Sequence, residues 1–267
     1  METTLKELRY VGAMSSADIA LRLNPAARVK LRLYGEEQNP LLIIDDVLLN
    51  PDDLIDYAAA TPFSMPEATF YPGLNAPLPP AYLQTLLPVL RPSLMRAFGV
   101  GDGRLISRAF FALSTRSPEE MVPLQKIPHY DQPDPRCLAM VHYLGRDQAG
   151  GTGFFRHGLT GFESIDRTRR DPYMRQVTAE LEALGDRLTG YTGPDTPNYD
   201  LLEQVEPQFN RLVIYRSHVL HCALFNGARL TDNPRTGRLT ANSFFTPAPP
   251  RTRKCDAAFI APHREPY

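Results

Sequence analysis

Proline constrains this chain more than any other residue type: 26 of its 267 positions are proline, about twice the ~5% of ordinary usage. Inside a helix a proline removes a backbone donor and collides with the preceding turn, so it belongs at first helical positions, in turns and at strand edges. Many short elements separated by rigid turns fit this better than a long helical bundle. The length allows one large β domain or two smaller domains. No internal repeat, low-complexity tract or long linker marks a boundary, so a single domain over residues 1–267 is expected.

Apolar residues are 43% and charged residues 22% of the chain, ordinary globular proportions that exclude disorder throughout. Lys plus Arg number 29 against 30 Asp plus Glu, a net charge of −1. That balance excludes a nucleic-acid binder relying on a basic field. Cys137, Cys222 and Cys255 are odd in number, widely spaced and without a C-x-x-C pair, which argues against a disulfide framework or a cysteine-rich zinc finger. Glu2 and Glu7 stand where a signal peptide would be basic. The best apolar run, Leu41 to Leu49, is broken by Asp45-Asp46, far short of the ~18 residues that span a bilayer. The expectation is a cytoplasmic protein with no membrane and no nucleic-acid partner, free to form a homodimer.

Residues 1–103 read as a strand and helix region packing on the rest. Leu41-Leu42-Ile43-Ile44 suits a strand, and Asn50-Pro51-Asp52-Asp53 supplies a helix start before Leu54 to Ala60. The Pro, Gly and Asn density between Thr61 and Pro80 argues for a loop. Ala81 to Phe98 reads as a helix interrupted or kinked near Pro88 and Pro92, with Leu83, Leu86, Leu87, Leu90, Leu94 and Phe98 facing a core. Over 104–247 the segments Leu105 to Ser114, Cys137 to Leu144, Thr152 to His157, Arg211 to Tyr215 and Arg238 to Phe245 are short, aromatic or β-branched, and bounded by turn residues. A helical insertion at about 158–206 breaks this β region, with Val177, Leu181, Leu184 and Leu188 at helical spacing. Residues 248–267 read as an extended Pro-rich tail. The fold class is therefore mainly β with flanking helices (α+β), a β-barrel or sandwich behind helices.

The histidines have unequal contexts. His129-Tyr130-Asp131 lies among Pro128, Pro133 and Pro135, so its first and third side chains project to one side of a stiffened, extended segment. An imidazole and a carboxylate converging in this way are two of the three ligands of a facial triad, which leaves open positions on Fe(II). His221 is the candidate third ligand if side-chain phase persists from Val213 through Ser217, with His218 the fallback. His142 reads as hydrogen-bonded core and His157, beside Arg156, as surface. Alternation turns Cys222 away when His221 faces in. Downstream, Arg238, Thr240 and Asn242 share a strand face. A buried guanidinium needs a partner, and the far carboxylate of a dicarboxylate such as 2-oxoglutarate suits its fork.

His129-x-Asp131, a distant His221 and Arg238-x-Thr240 resemble the iron ligands and co-substrate anchor of the Fe(II)/2-oxoglutarate-dependent dioxygenases. Val141-His142-Tyr143-Leu144 followed by Gly150-Gly151-Thr152-Gly153-Phe154 is similar to a stretch of the prolyl-4-hydroxylase-like branch. Roughly residues 40–247 are covered, and the likeness is closest to an uncharacterised bacterial group bearing Gly-Gly-Thr-x-Phe-x-Arg-His. Two features depart from the branch: a longer gap between His221 and Arg238, and no acidic residue between the glycines and the threonine.

The resemblance implies a double-stranded β-helix (jelly-roll, cupin-like) fold. It implies Fe(II) on His129, Asp131 and His221, with 2-oxoglutarate held by Arg238, Thr240, Asn242 and Tyr143. With O2, such an enzyme hydroxylates a small molecule, amino acid or peptide side chain and releases succinate and CO2. The 158–206 insertion would be a substrate lid or an interaction surface. Two other classes share the barrel, a catalytically silent cupin-like binding protein and a metal-dependent hydrolase or isomerase.

Overall fold

A computed structural model describes residues 19–66, 71–146, 150–225 and 230–248. The strands are β1 (Arg28–Tyr34), β2 (Asn39–Asp45), β3 (Gly73–Pro77), β4 (Leu105–Ser114), β5 (Leu138–Tyr143), β6 (Thr152–His157), β7 (Tyr199–Val205), β8 (Arg211–Arg216), β9 (His221–Ala223) and β10 (Leu239–Pro247). The helices are α1 (Asp52–Ala60), α2 (Ala81–Phe98) and α3 (Arg170–Leu184). Seven strands form one antiparallel sheet in the order β1-β2-β8-β5-β10-β4-β3, and three form a second in the order β7-β6-β9. The strands at Arg28–Tyr34 and Asn39–Asp45 thus belong to the large sheet rather than packing on it from outside.

Strand alternation sorts side chains into two cores. Leu42, Ile44, Phe111, Leu138, Met140, Leu212, Ile214, Ala241 and Phe245 face the helices α1 and α2. Leu41, Ile43, Ala139, Tyr143, Val213 and Tyr215 face the other way and meet Phe154 and Val205 of the small sheet. The ring of Phe154 lies 5.0 Å from those of Tyr34 and Tyr215. Each fully buried leucine or phenylalanine here contributes about 1.5–3 kcal/mol. On the outer face of the small sheet, Phe155, Leu220 and Cys222 pack with Tyr173 and Val177 of α3. The layers are therefore two helices, the large sheet, the small sheet and a third helix.

Helix α2 runs unbroken through Pro88 and Pro92. Tyr82, Leu86, Leu90, Leu94 and Phe98 are its buried residues, at i, i+4 spacing, whereas both prolines are exposed. Carbonyls freed by the missing donors therefore face water, which can satisfy them. Leu83 and Leu87 only flank the core, while the fully buried Tyr82 was not among the expected core residues. Gly99 ends the helix at φ 66°, a left-handed conformation that glycine adopts freely.

Two expected non-strand regions contain strands. Within 61–80, read as loop, Gly73–Pro77 pairs along β4; its Gly, Asn and Pro composition hides an edge strand whose order comes from backbone pairing. Within 158–206, read as a helical insertion, α3 ends at Leu184 and β7 pairs with β6 through a register shift at Phe154/Phe155. Leu188 is buried just beyond the helix. The tail from 249 onward, with Cys255 and His263, lies outside the described residues. Among the described residues no helix is long and apolar enough to cross a membrane.

Candidate metal centre

His129 and Asp131 lie on an extended segment between the large and small sheets, tied at both ends. The His129 N–H donates to the His221 carbonyl at 2.9 Å, and the His221 N–H returns the bond to the His129 carbonyl at 2.8 Å. The Asp131 N–H donates to the Ser217 carbonyl at 2.8 Å. Strand β8 ends at Arg216 in the large sheet and β9 begins at His221 in the small one. Side-chain phase is therefore not carried from Val213 to His221. His221 reaches the site because the chain changes sheets between them.

The donor atoms of His129, Asp131 and His221 all lie within 4.8 Å of one another. Nε2 of His129 is 3.8 Å from Asp131 Oδ1, and Nε2 of His221 is 3.6 Å from Asp131 Oδ2, too far for hydrogen bonds. His221 Nδ1 stands 3.0 Å from the Val219 carbonyl, an acceptor only, so Nδ1 carries the proton and Nε2 presents a lone pair. Asp131 Oδ2 is buried without a hydrogen-bond partner. A buried carboxylate oxygen left this way costs free energy unless something cationic meets it. Two imidazoles and a carboxylate with free lone pairs fit a divalent first-row metal.

Burial lowers His221 to about 4, against its bond to the Val219 carbonyl. Burial, followed by the neighbouring His221, lowers His129 to about 4 against the pull of Asp131. The His129 side chain is 52% exposed, but it opens into a cavity rather than onto the outer surface, so it is still partly desolvated. Burial raises Asp131 to about 6, partly offset by His129.

That cavity has a volume of about 740 Å³, and the triad, Arg238, Thr240 and Asn242 all line it. Arg238 is 8% exposed. Its Nε donates to the Gly150 carbonyl at 2.6 Å and a terminal nitrogen to the Gly151 carbonyl at 3.3 Å; among the described residues no carboxylate pairs with it. Thr240 donates weakly to the Ala112 carbonyl at 3.4 Å. The Asn242 side-chain oxygen is buried without a partner. Tyr143 is not among the lining residues; its hydroxyl lies 2.5 Å from that of Thr152, which does line the cavity.

The remaining histidines stand apart from the triad. His142 is fully buried on the helix side, between the Tyr82 hydroxyl and the Asn210 side chain at 3.2 Å each. His218 is buried, and its Nδ1 has no partner. His157, expected at the surface, is fully buried: Nδ1 meets the Thr160 hydroxyl at 2.8 Å and Nε2 meets Glu180 Oε2 at 3.0 Å. The carboxylate that draws it inward lies on α3, beyond reach of a local reading. Cys222 packs on the outer face with Leu220 and Tyr173, away from the ligand cluster, and borders the cavity there. Sequence reasoning also missed Asn75, Arg108, Tyr173 and Tyr215 in the wall. The alternation that grouped Arg238, Thr240 and Asn242 extends to Phe244 and Thr246, and would have found those two.

A two-sheet β fold carrying a two-histidine, one-carboxylate centre beside a buried arginine is the class that these observations define. Residues 25–245 match the model of DUF6445, a family of unknown function, and the chain belongs to that family. No curated protein matches it. Among solved structures, HygX from Streptomyces hygroscopicus, with nickel and 2-oxoglutarate bound, is 14% identical, covering 79% of this chain and 84% of its own at a TM-score of 0.45. SnoK, a non-heme alpha ketoglutarate dependent carbocyclase from nogalamycin biosynthesis, is 12% identical over 79% of this chain and 81% of its own, at 0.46. An N-substituted L-amino acid dioxygenase from Burkholderia ambifaria AMMD is 12% identical over 85% and 95%, at 0.39. At TM-scores below 0.5 these likenesses assign no function to this chain.

Proposed function

We propose that this protein is an Fe(II)/2-oxoglutarate-dependent oxygenase on a jelly-roll framework, hydroxylating a small molecule, amino acid or peptide side chain. The observation that carries the reading is the meeting of three unpaired metal donors and a buried, carboxylate-free Arg238 in one cavity. His129, Asp131 and His221 would hold the metal. Arg238, with Thr240 and Asn242 on the same strand face, would take the far carboxylate of 2-oxoglutarate, and Tyr143 would act through Thr152. Bound iron supplies the site at which dioxygen oxidises 2-oxoglutarate to succinate and CO2 and the substrate to its alcohol.

The chain's share of the work is positional. The Val219 carbonyl holds His221 in the tautomer that offers Nε2 inward. The paired backbones of His129 and His221 keep the two imidazoles together, their ring centroids 4.5 Å apart. The Gly150 and Gly151 carbonyls orient the Arg238 fork and leave part of it free for a carboxylate.

The test is anaerobic addition of Fe(II) and 2-oxoglutarate, which should give a visible charge-transfer band, followed by oxygen and detection of succinate by NMR. Folded, metal-loaded protein showing neither band nor succinate overturns the reading. A band without succinate on any substrate points to a binding protein, and metal-dependent activity unchanged in Arg238→Ala points to a hydrolase or isomerase.

A further inference from the structure

We infer that Arg108 anchors the carboxylate of the primary substrate, and that this substrate is a monocarboxylate with an apolar body carrying a hydrogen-bond donor. The inference rests on the oxygenase reading, because that reading fixes which cavity charges are already matched. The charged side chains lining the cavity, besides the histidines, are Arg108, Asp131 and Arg238. With Fe(II) and 2-oxoglutarate in place, metal and co-substrate charges cancel, as do those of Asp131 and Arg238. Arg108 is then one uncompensated positive charge in a partly enclosed space.

Among the described residues the Arg108 side chain makes no hydrogen bond or ion pair; its guanidinium lies 5.1 Å from the centroid of the Phe110 ring. An arginine stacked on an aromatic face keeps its edge donors free, the geometry that accepts a carboxylate bidentately. It is exposed and faces Phe244 across the β4–β10 ladder. Arg238 and Phe244 are six residues apart in sequence, roughly 20 Å along an extended strand. The two arginines thus stem from separate ends of the cavity wall.

Around Arg108 the wall is apolar, while Thr240 and Asn242 lie toward Arg238. Phe110 and Phe244 stack at 5.9 Å, and Val141 pairs with Asn242 on the neighbouring strand. Two further polar groups are unmatched: the side-chain oxygens of Asn75, on β3, and of Asn242, on β10, are buried without a partner, and both residues line the cavity. An N–H or O–H on the substrate body would satisfy either of them. An acylated apolar amino acid has all three features.

The test measures binding of N-acetyl-L-leucine, N-acetyl-L-phenylalanine and 4-phenylbutyrate, each against its primary amide, by calorimetry on the full chain. Runs are made without metal and with Zn(II) plus N-oxalylglycine. At least one carboxylate should bind tenfold or more tighter than its amide. Arg108→Gln should bring that ratio to within about twofold, and Arg238→Gln should leave it intact. If no carboxylate is preferred, or if the preference survives Arg108→Gln or is lost only in Arg238→Gln, the inference fails. 2-Oxoglutarate binding on the same samples tests the oxygenase reading separately. Carboxylate preference through Arg108 in a chain that does not bind 2-oxoglutarate sinks that reading alone.

Discussion

His129 and His221 exchange both backbone hydrogen bonds, at 2.9 and 2.8 Å, although they lie in distant parts of the chain. The bridge falls on the free edge of β9, whose other side pairs with β6. Two imidazoles are thereby held as neighbours by main-chain geometry, independent of any bound ion. The centre is preorganised, and its side chains can be altered without removing what aligns them.

Replacing either imidazole should therefore abolish metal binding while leaving the fold. In His129→Ala and His221→Ala, affinity for Mn(II) or Zn(II) should fall by more than ~100-fold, beyond the 10–100-fold typical of outer-shell changes. Circular dichroism should be unchanged. Calorimetric titration checks this, and near-normal affinity in either variant would remove that histidine from the ligand set.

Metal binding should depend on pH through Asp131. Burial raises its carboxyl to about 6, whereas His129 and His221 are lowered to about 4. Above pH ~4 the imidazoles are already neutral, so a single proton must leave for the ion to bind. Affinity should rise about tenfold per pH unit from 4.5 to 6 and level off above. Zn(II) titrations across pH 4.5–7.5 read the slope.

Stability of the metal-free protein should move in the same direction, for a different reason. His142 and His221, both buried and lowered to about 4, bind protons only in the unfolded chain between pH ~4 and ~6.5, so folding gains stability as pH rises through that window. Asp131, raised to about 6, holds its proton longer in the folded state and opposes the gain between pH ~4 and ~6. Urea denaturation at pH 4.5 and 6.5 should show net stabilisation at the higher pH. The difference should be larger in Asp131→Asn.

Glu180 ties α3 to the small sheet by accepting from Asn198 at 2.9 Å and meeting His157 at 3.0 Å. Tyr173 of the same helix contacts the Tyr199 hydroxyl at 2.9 Å and the Pro128 carbonyl at 3.4 Å. Glu180→Ala strands a fully buried imidazole nitrogen and should cost about 1–3 kcal/mol. Glu180→Gln, which keeps a hydrogen bond, should cost less. Chemical denaturation of both variants tests the ordering; equal losses would mean that the carboxylate's charge, not its hydrogen bond, matters.

Local pattern determined much of this protein. Short aromatic or β-branched runs bounded by turn residues marked β4, β5, β6, β8 and β10, because such side chains fit a pleated, packed surface. The period-two alternation of an extended chain put the His129 and Asp131 side chains on one side, and Arg238, Thr240 and Asn242 on one face. Tertiary structure decided what pattern cannot carry. Which distant histidine joins Asp131 depends on the chain leaving one sheet at Arg216 and entering the other at His221, a crossing that resets side-chain phase. Edge strands β3 and β7 exist because neighbouring backbones pair with them, not because their own residues demand it. His157 is interior because Glu180, on another element, is there to meet it. A period is a property of neighbours along the chain, whereas a ligand set, a strand partner and a buried hydrogen-bonding partner are properties of neighbours in space.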